Sequence, residues 1–332
     1  MLNQYEVVSI VGNAKNAGKT TVLNSIIETF HDRLLAITSI GLDGELIDNV
    51  TSLPKPRIFV YENMIVATAL ECLKAAEATY EIIDKTGIET ALGEIVLIRI
   101  IHSGNVLVGG PSIVTQMESL VAYIKTLNVD KILIDGAFSR KTISKSTDAC
   151  IFAIGAVYSS DLSKVIDAAK LTIAQFSLNR VNDSFNYLET EERVVLIYKD
   201  GTYKKLEYDS VIQYQQEILE FLTSDVEYIY IPGSLPTQFA KELIRKRRTI
   251  LPKIILKSPT HMVLPEVILN NLFNSGIKIN VLHPVNLVGI MYNPFSPTGY
   301  VFDDGEFQDK LIKITHLPVI NVMNERRNDI DG

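Results

Sequence analysis

The chain has 332 residues, 47% of them hydrophobic, and a formal net charge of −7. That length accommodates two domains of ordinary size, and the acidic balance argues against general nucleic-acid binding. Its apolar runs are too short to span a membrane, and no basic region followed by an apolar segment opens the chain, so a cytoplasmic protein with no membrane partner is expected. Cys72 and Cys150 lie in apolar settings and read as reduced core residues. His31, His102, His261, His283 and His316 have no short metal-ligand spacing, so no structural zinc site is expected.

The first element is a strand-like run, Tyr5 to Val11, with Val7, Val8, Ile10 and Val11 suited to burial on both faces. A helical run from Thr20 to Phe30 follows, with Val22, Leu23, Ile26, Ile27 and Phe30 on one stripe. Between them stands Gly12-Asn13-Ala14-Lys15-Asn16-Ala17-Gly18-Lys19-Thr20-Thr21. A glycine-bearing turn from strand to helix that ends in Gly-Lys-Thr cradles nucleotide phosphates: backbone N–H groups face the anion, Lys19 reaches the outer phosphates, and the Thr20 hydroxyl ligates Mg²⁺. The spacing departs from the G-x-x-x-x-G-K-[ST] pattern, because five residues separate Gly12 from Gly18 and Asn13 holds the usual glycine position. ATP and Mg²⁺ are the expected ligands. ATP hydrolysis is the expected but less direct consequence, since a phosphate cradle alone supplies no catalytic water.

Leu34 to Ile40 reads as a second strand, leading to Gly41-Leu42-Asp43-Gly44-Glu45, where Asp43 could complete the magnesium sphere or position water. An alanine-rich helix is expected from about 63 to 83. Glu94 to Ile101 then reads as a strand that turns at Ser103-Gly104-Asn105 into a hairpin with Val106-Leu107-Val108. Pro111-Ser112 could start a helix carrying Met117, Leu120, Val121, Ile124 and Leu127 on one face. Within Lys131 to Ala137 a hydrophobic strand ends in Asp135, which places a carboxylate at the carboxyl edge of a parallel sheet, in reach of Mg²⁺.

Ala149 to Val157 reads as another buried strand, and an inward-facing helical stripe runs from Leu162 to Phe176. The composition turns polar from Asn179 to Glu192. The expected division is therefore a nucleotide-binding domain over 1–185 with a mostly parallel sheet, and a second, smaller α/β domain over 190–332 that binds a partner. In the latter, Val194–Tyr198 and Tyr203–Leu206 flank the hairpin signature Asp200-Gly201, and further strands are expected near 228–231, 253–256, 277–282 and 287–291. The cluster Arg245-Lys246-Arg247-Arg248 falls at the end of a helix beginning near Pro236, where the helix dipole favours cations. Asn293-Pro294-Phe295-Ser296-Pro297 is a rigid turn able to contact a base, a ligand or a partner.

The long loop spacing resembles dethiobiotin synthetase and the cobyrinic acid amidases, P-loop enzymes grouped with the MinD-like ATPases. Lys15 would be an extra loop cation, one residue away from the signature lysine of the MinD-like proteins. The segments 11–21, 38–45, 134–141 and 293–297 more closely resemble the P-loop subunit of the reactivating factors of lysine 5,6-aminomutase and ornithine aminomutase. The resemblance implies a Mg-dependent ATPase that opens a cobalamin-dependent aminomutase to exchange damaged cofactor, working with a MutS-like ATPase subunit. It implies Gly12, Asn13, Lys15, Asn16, Gly18, Lys19, Thr20 and Thr21 around phosphate, with Thr20, Asp43 and Asp135 at Mg²⁺ and Lys19, Asp43 and Asp135 in catalysis. Two other readings stay open: an ATP-dependent small-molecule ligase resembling dethiobiotin synthetase, and a non-hydrolysing nucleotide-binding regulator. Neither cysteine suits a glutaminase nucleophile.

Overall fold

A computed structural model of the chain describes residues 2–12, 18–41, 58–136 and 147–323. The chain divides into two compact units, one formed by 1–169 with 287–332 and the other by 170–286.

The first unit opens with β1 (Val7–Gly12), helix α1 (Lys19–Thr29) and β2 (Leu35–Ser39). Short β3 (Ile58–Val60) and β4 (Ile65–Ala69) precede a long hairpin of β5 (Thr79–Thr90) and β6 (Gly93–His102), then β7 (Gly104–Val106). Helix α2 (Val114–Lys125), β8 (Lys131–Asp135) and β9 (Ala149–Gly155) follow, and α3 (Leu162–Phe176) begins in the first unit and ends in the second. The second unit holds β10 (Val195–Tyr198), β11 (Tyr203–Lys205), α4 (Gln215–Phe221), β12 (Val226–Ile231), α5 (Thr237–Lys246), β13 (Lys253–Leu256), α6 (Glu266–Phe273) and β14 (Ile279–Val281). The chain then returns to the first unit with β15 (Leu287–Asn293), α7 (Asp304–Ile312) and β16 (Val319–Asn321).

The protein is α/β, built on a nine-stranded mixed sheet in the order β16-β15-β9-β1-β8-β2-β4-β6-β5. The seven strands from β16 to β4 are parallel, and β6 and β5 add an antiparallel edge. Every residue of β1 and β9 is buried, which explains their unbroken apolar runs: a parallel strand covered on both faces has no reason to alternate. Helix α1 turns Val22, Leu23, Ile26 and Ile27 into the same core as Val8 and Ile10 of β1 and Leu133 of β8. Burying each such side chain contributes about 1.5–3 kcal/mol against its exposed state. The second unit carries its own five-stranded sheet, β11-β10-β12-β13-β14, around a separate core that includes Ile229, Phe239 and Ile254.

Three expectations need correction. The helix expected over 63–83 is instead β4, a short 3-10 turn over Leu70–Ala75, and the start of β5. Ile65-Val66-Ala67-Thr68-Ala69 is wholly buried between β2 and β6, so tertiary pairing overrides the helix preference of its alanines. The Glu94–Ile101 strand exists, but its partners are β4 and β5, while β7 pairs with β3. The division expected at 185–190 also fails. The second unit is an insertion over 170–286, and β15 and β16 pair in the first sheet beside β9.

Candidate functional site

The sheet order reverses around β1, with β8, β2 and β4 on one side and β9, β15 and β16 on the other. In open α/β sheets the crevice beyond the carboxyl ends of strands at such a point is where ligands bind. Five strand ends meet along this edge: Gly12, Ser39, Asp135, Gly155 and Asn293.

Gly12 closes β1, and Gly18 opens α1 with φ of 91°, the left-handed region that glycine adopts without strain. A side chain at Gly12 would meet Lys19 Cγ at 3.0 Å and the Ala153 carbonyl at 3.1 Å, so the Lys19 stem folds back over the glycine that precedes the loop. Among the described residues no side chain caps the start of α1, and no acidic residue occupies its first turn. Its leading N–H groups, at Lys19, Thr20 and Thr21, stand at the positive end of the helix dipole, where an anion is stabilised.

Asp135 ends β8 between two neighbours, in register with Ile10 of β1 and Ser39 of β2. The backbone fixes it there: Gly136 N–H donates to the Ile10 carbonyl at 2.9 Å, and Ile40 N–H donates to the Asp135 carbonyl at 2.8 Å. Its Oδ1 is buried and has no hydrogen-bond partner among the described residues. Burial pushes the carboxyl up to about 6, an effect partly offset by the Lys19 charge. A buried carboxylate beside a lysine, with an unpaired oxygen, is a poor structural device and a good cation ligand. Asn24 Oδ1 and Gln215 Oε1 are also buried and unpartnered, but they are neutral amide oxygens and cost less to leave so.

Asn293, named in sequence only as part of a possible contact turn, belongs to this edge. Its Cβ lies 3.3 Å from where a Gly18 side chain would sit. Its Oδ1 accepts from Phe295 N–H at 2.9 Å, and its carbonyl accepts from Ala156 N–H at 2.9 Å, which joins the ends of β9 and β15. The Asn-Pro pair after an apolar run was the available signal; the missing information was that this strand joins the first sheet.

The structure thus brings Gly12, Gly18, Lys19, Thr20, Thr21 and Asp135 to one edge. Asn13, Lys15, Asn16 and Asp43, together with 137–141 of the resemblance, lie outside the described residues. Cys150 is fully buried in β9 and its thiol is pushed up to about 12 by that burial, which removes it as a nucleophile. Among the described residues no cluster of His, Cys, Asp and Glu is arranged to hold a metal on its own, and no helix is long and apolar enough to cross a membrane. No protein-family model, curated protein or solved structure matches the chain.

Proposed function

We propose that the first unit is a P-loop nucleotide-binding domain that takes ATP with Mg²⁺ and hydrolyses it. One observation carries this reading: the buried, unpartnered Asp135 carboxylate shares a sheet edge with the glycine-flanked strand-to-helix turn and is felt electrostatically by Lys19. Those groups fit the ion and the nucleotide. Lys19 and the first-turn N–H groups of α1 would hold phosphate oxygens, while the Thr20 hydroxyl and Asp135 would hold Mg²⁺. The metal, when bound, neutralises charge on the phosphates. Asn293 stands where it can meet the nucleotide beside Gly18.

The protein-level role rests on the segment resemblance. We propose that the chain is the ATPase component of a reactivase for an adenosylcobalamin-dependent aminomutase, with the inserted 170–286 unit available for partner contact and a MutS-like subunit as co-worker. ATP and ADP can bias an opening equilibrium only by their difference in affinity for the two states, so turnover must be coupled to partner binding. The test is recovery of an inactivated aminomutase in the presence of the second subunit, cobalamin and ATP. Lys19→Ala should abolish recovery, and recovery at the unmutated rate would remove the loop from the mechanism.

A further inference from the structure

Away from the phosphate edge, a cavity of about 410 Å³ opens beside the last turn of α1. Its apolar wall comes from Ile26 and Phe30 of α1, Met291 of β15 and Ile320 of β16. Asn3, Asp32 and Arg33 supply polar groups to the lining. The volume lies in the range of small-molecule sites, and an apolar wall with a few polar groups is their usual construction.

The charge around it is unevenly placed. The Arg33 guanidinium stands over the Phe30 ring at 5.2 Å, and the Lys131 ammonium stands over the same ring at 5.0 Å. Lys131 is fully buried and donates to the Leu2 carbonyl at 2.9 Å and to the Tyr5 carbonyl. Burial first, and the Arg33 charge second, hold its ammonium below the usual lysine range. Arg33 is exposed, and its guanidinium donates a long hydrogen bond to Asn3 Oδ1 at 3.4 Å. Arg33 and Lys131 therefore repel across one aromatic ring at the cavity, a repulsion that the Asp148 and Asp130 charges partly offset at Lys131, and Asp32 is the acidic group in the lining. An anion held by Arg33 would relieve that repulsion while its apolar body filled the space along Ile26, Phe30, Met291 and Ile320.

We propose that this cavity is a binding site for a small amphipathic anion, a carboxylate carried on an apolar chain or ring. The site is independent of the nucleotide reading. It does, however, sit at the far end of the helix whose first turn bears Lys19 and Thr20, roughly 16 Å away along eleven residues.

Sodium octanoate is a suitable probe, read by NMR of the full chain labelled at the methionine methyls. The Met291 methyl lines the cavity, whereas Met117 and Met262 do not. Octanoate should shift Met291 saturably and leave Met117 and Met262 in place, and neutral 1-octanol should bind more weakly. Arg33→Ala should weaken octanoate about tenfold, as expected for losing one charge-assisted contact, with Arg33→Lys recovering part of the loss. Asp32→Asn should tighten it. Unchanged Met117 and Met262 signals show that the variants are folded. A Met291 signal that does not move, or moves only together with the other two, overturns the site. Equal binding of octanol and octanoate, with no effect of Arg33→Ala, overturns its preference for an anion.

Discussion

Two carboxyl edges of parallel strands in this protein treat buried polar groups in opposite ways. At the edge of the nine-stranded sheet, Asp135 keeps a buried carboxylate oxygen without a partner and an elevated pKa of about 6. At the edge of the second sheet, the turn after β13 ties its polar groups together. Ser258 Oγ lies 2.8 Å from Thr260 Oγ1 and 3.0 Å from His261 Nδ1, and Gln175 Nε2 donates to the Pro259 and Met262 carbonyls at 2.7 and 3.0 Å. Both edges are built from similar strands, so fold alone does not separate them. A satisfied network is worth its stability and no more, whereas a costly unsatisfied charge persists where a ligand completes it.

The comparison can be broken by substitution. The largest effect should come from Lys19→Ala, which removes the cation folded over Gly12; Mg-ATP turnover should fall by about 10²–10³-fold. A smaller loss would mean that Lys19 is only a helix-start residue. Asp135→Asn should cost about a hundredfold in Mg-dependent turnover, yet make the nucleotide-free protein more stable. The sign follows from the raised native pKa: well below 3.8 the carboxyl is neutral in both states, and between 3.8 and about 6 the unfolded chain ionises first. Stability contributed by the protonated form is therefore lost as pH rises through that window, by up to about 3 kcal/mol, and Asp135→Asn should not lose it. Thermal melts at several pH values, without nucleotide, measure the difference directly.

The contrasting edge should answer the other way. Ser258→Ala should destabilise by about 1–3 kcal/mol, because it removes the buried hydroxyl that contacts both Thr260 Oγ1 and His261 Nδ1, while ATP turnover per folded molecule stays unchanged. Loss of turnover with intact folding would make that edge functional too. The smallest effect is expected from Gly18→Ala. It forces an alanine into a left-handed conformation at a cost of about 1–2 kcal/mol and crowds Asn293, so ATP affinity should drop more than stability alone explains.

The parts of the site that were legible in sequence are those encoded locally. Val7 to Phe30 carries a strand, a glycine-flanked turn and a helical stripe within one continuous stretch, and β8 announces Asp135 by an apolar run ending in a charge. The Asp200-Gly201 turn was equally direct, and Gly201 does take φ of 84° between β10 and β11. What local pattern cannot carry is partnership. β15 looks like any buried strand, and nothing in Leu287–Asn293 says that it pairs with β9 across an insertion of more than a hundred residues. Asn293 was therefore visible as a turn residue but not as a neighbour of Gly18. In 63–83, alanines pointed to a helix because the covering strands that make β4 favourable lie elsewhere in the chain.

In the proposed function, Mg²⁺ and ATP complete the Asp135 edge. Calorimetric titration of ATP into the protein at neutral pH, with Mg²⁺ and with EDTA, tests it most directly. One ATP should bind per chain, about tenfold tighter with Mg²⁺, and Asp135→Asn should lose that magnesium dependence while metal-free binding persists. Absence of ATP binding under both conditions, or an Asp135→Asn protein that keeps the full magnesium dependence, would contradict it.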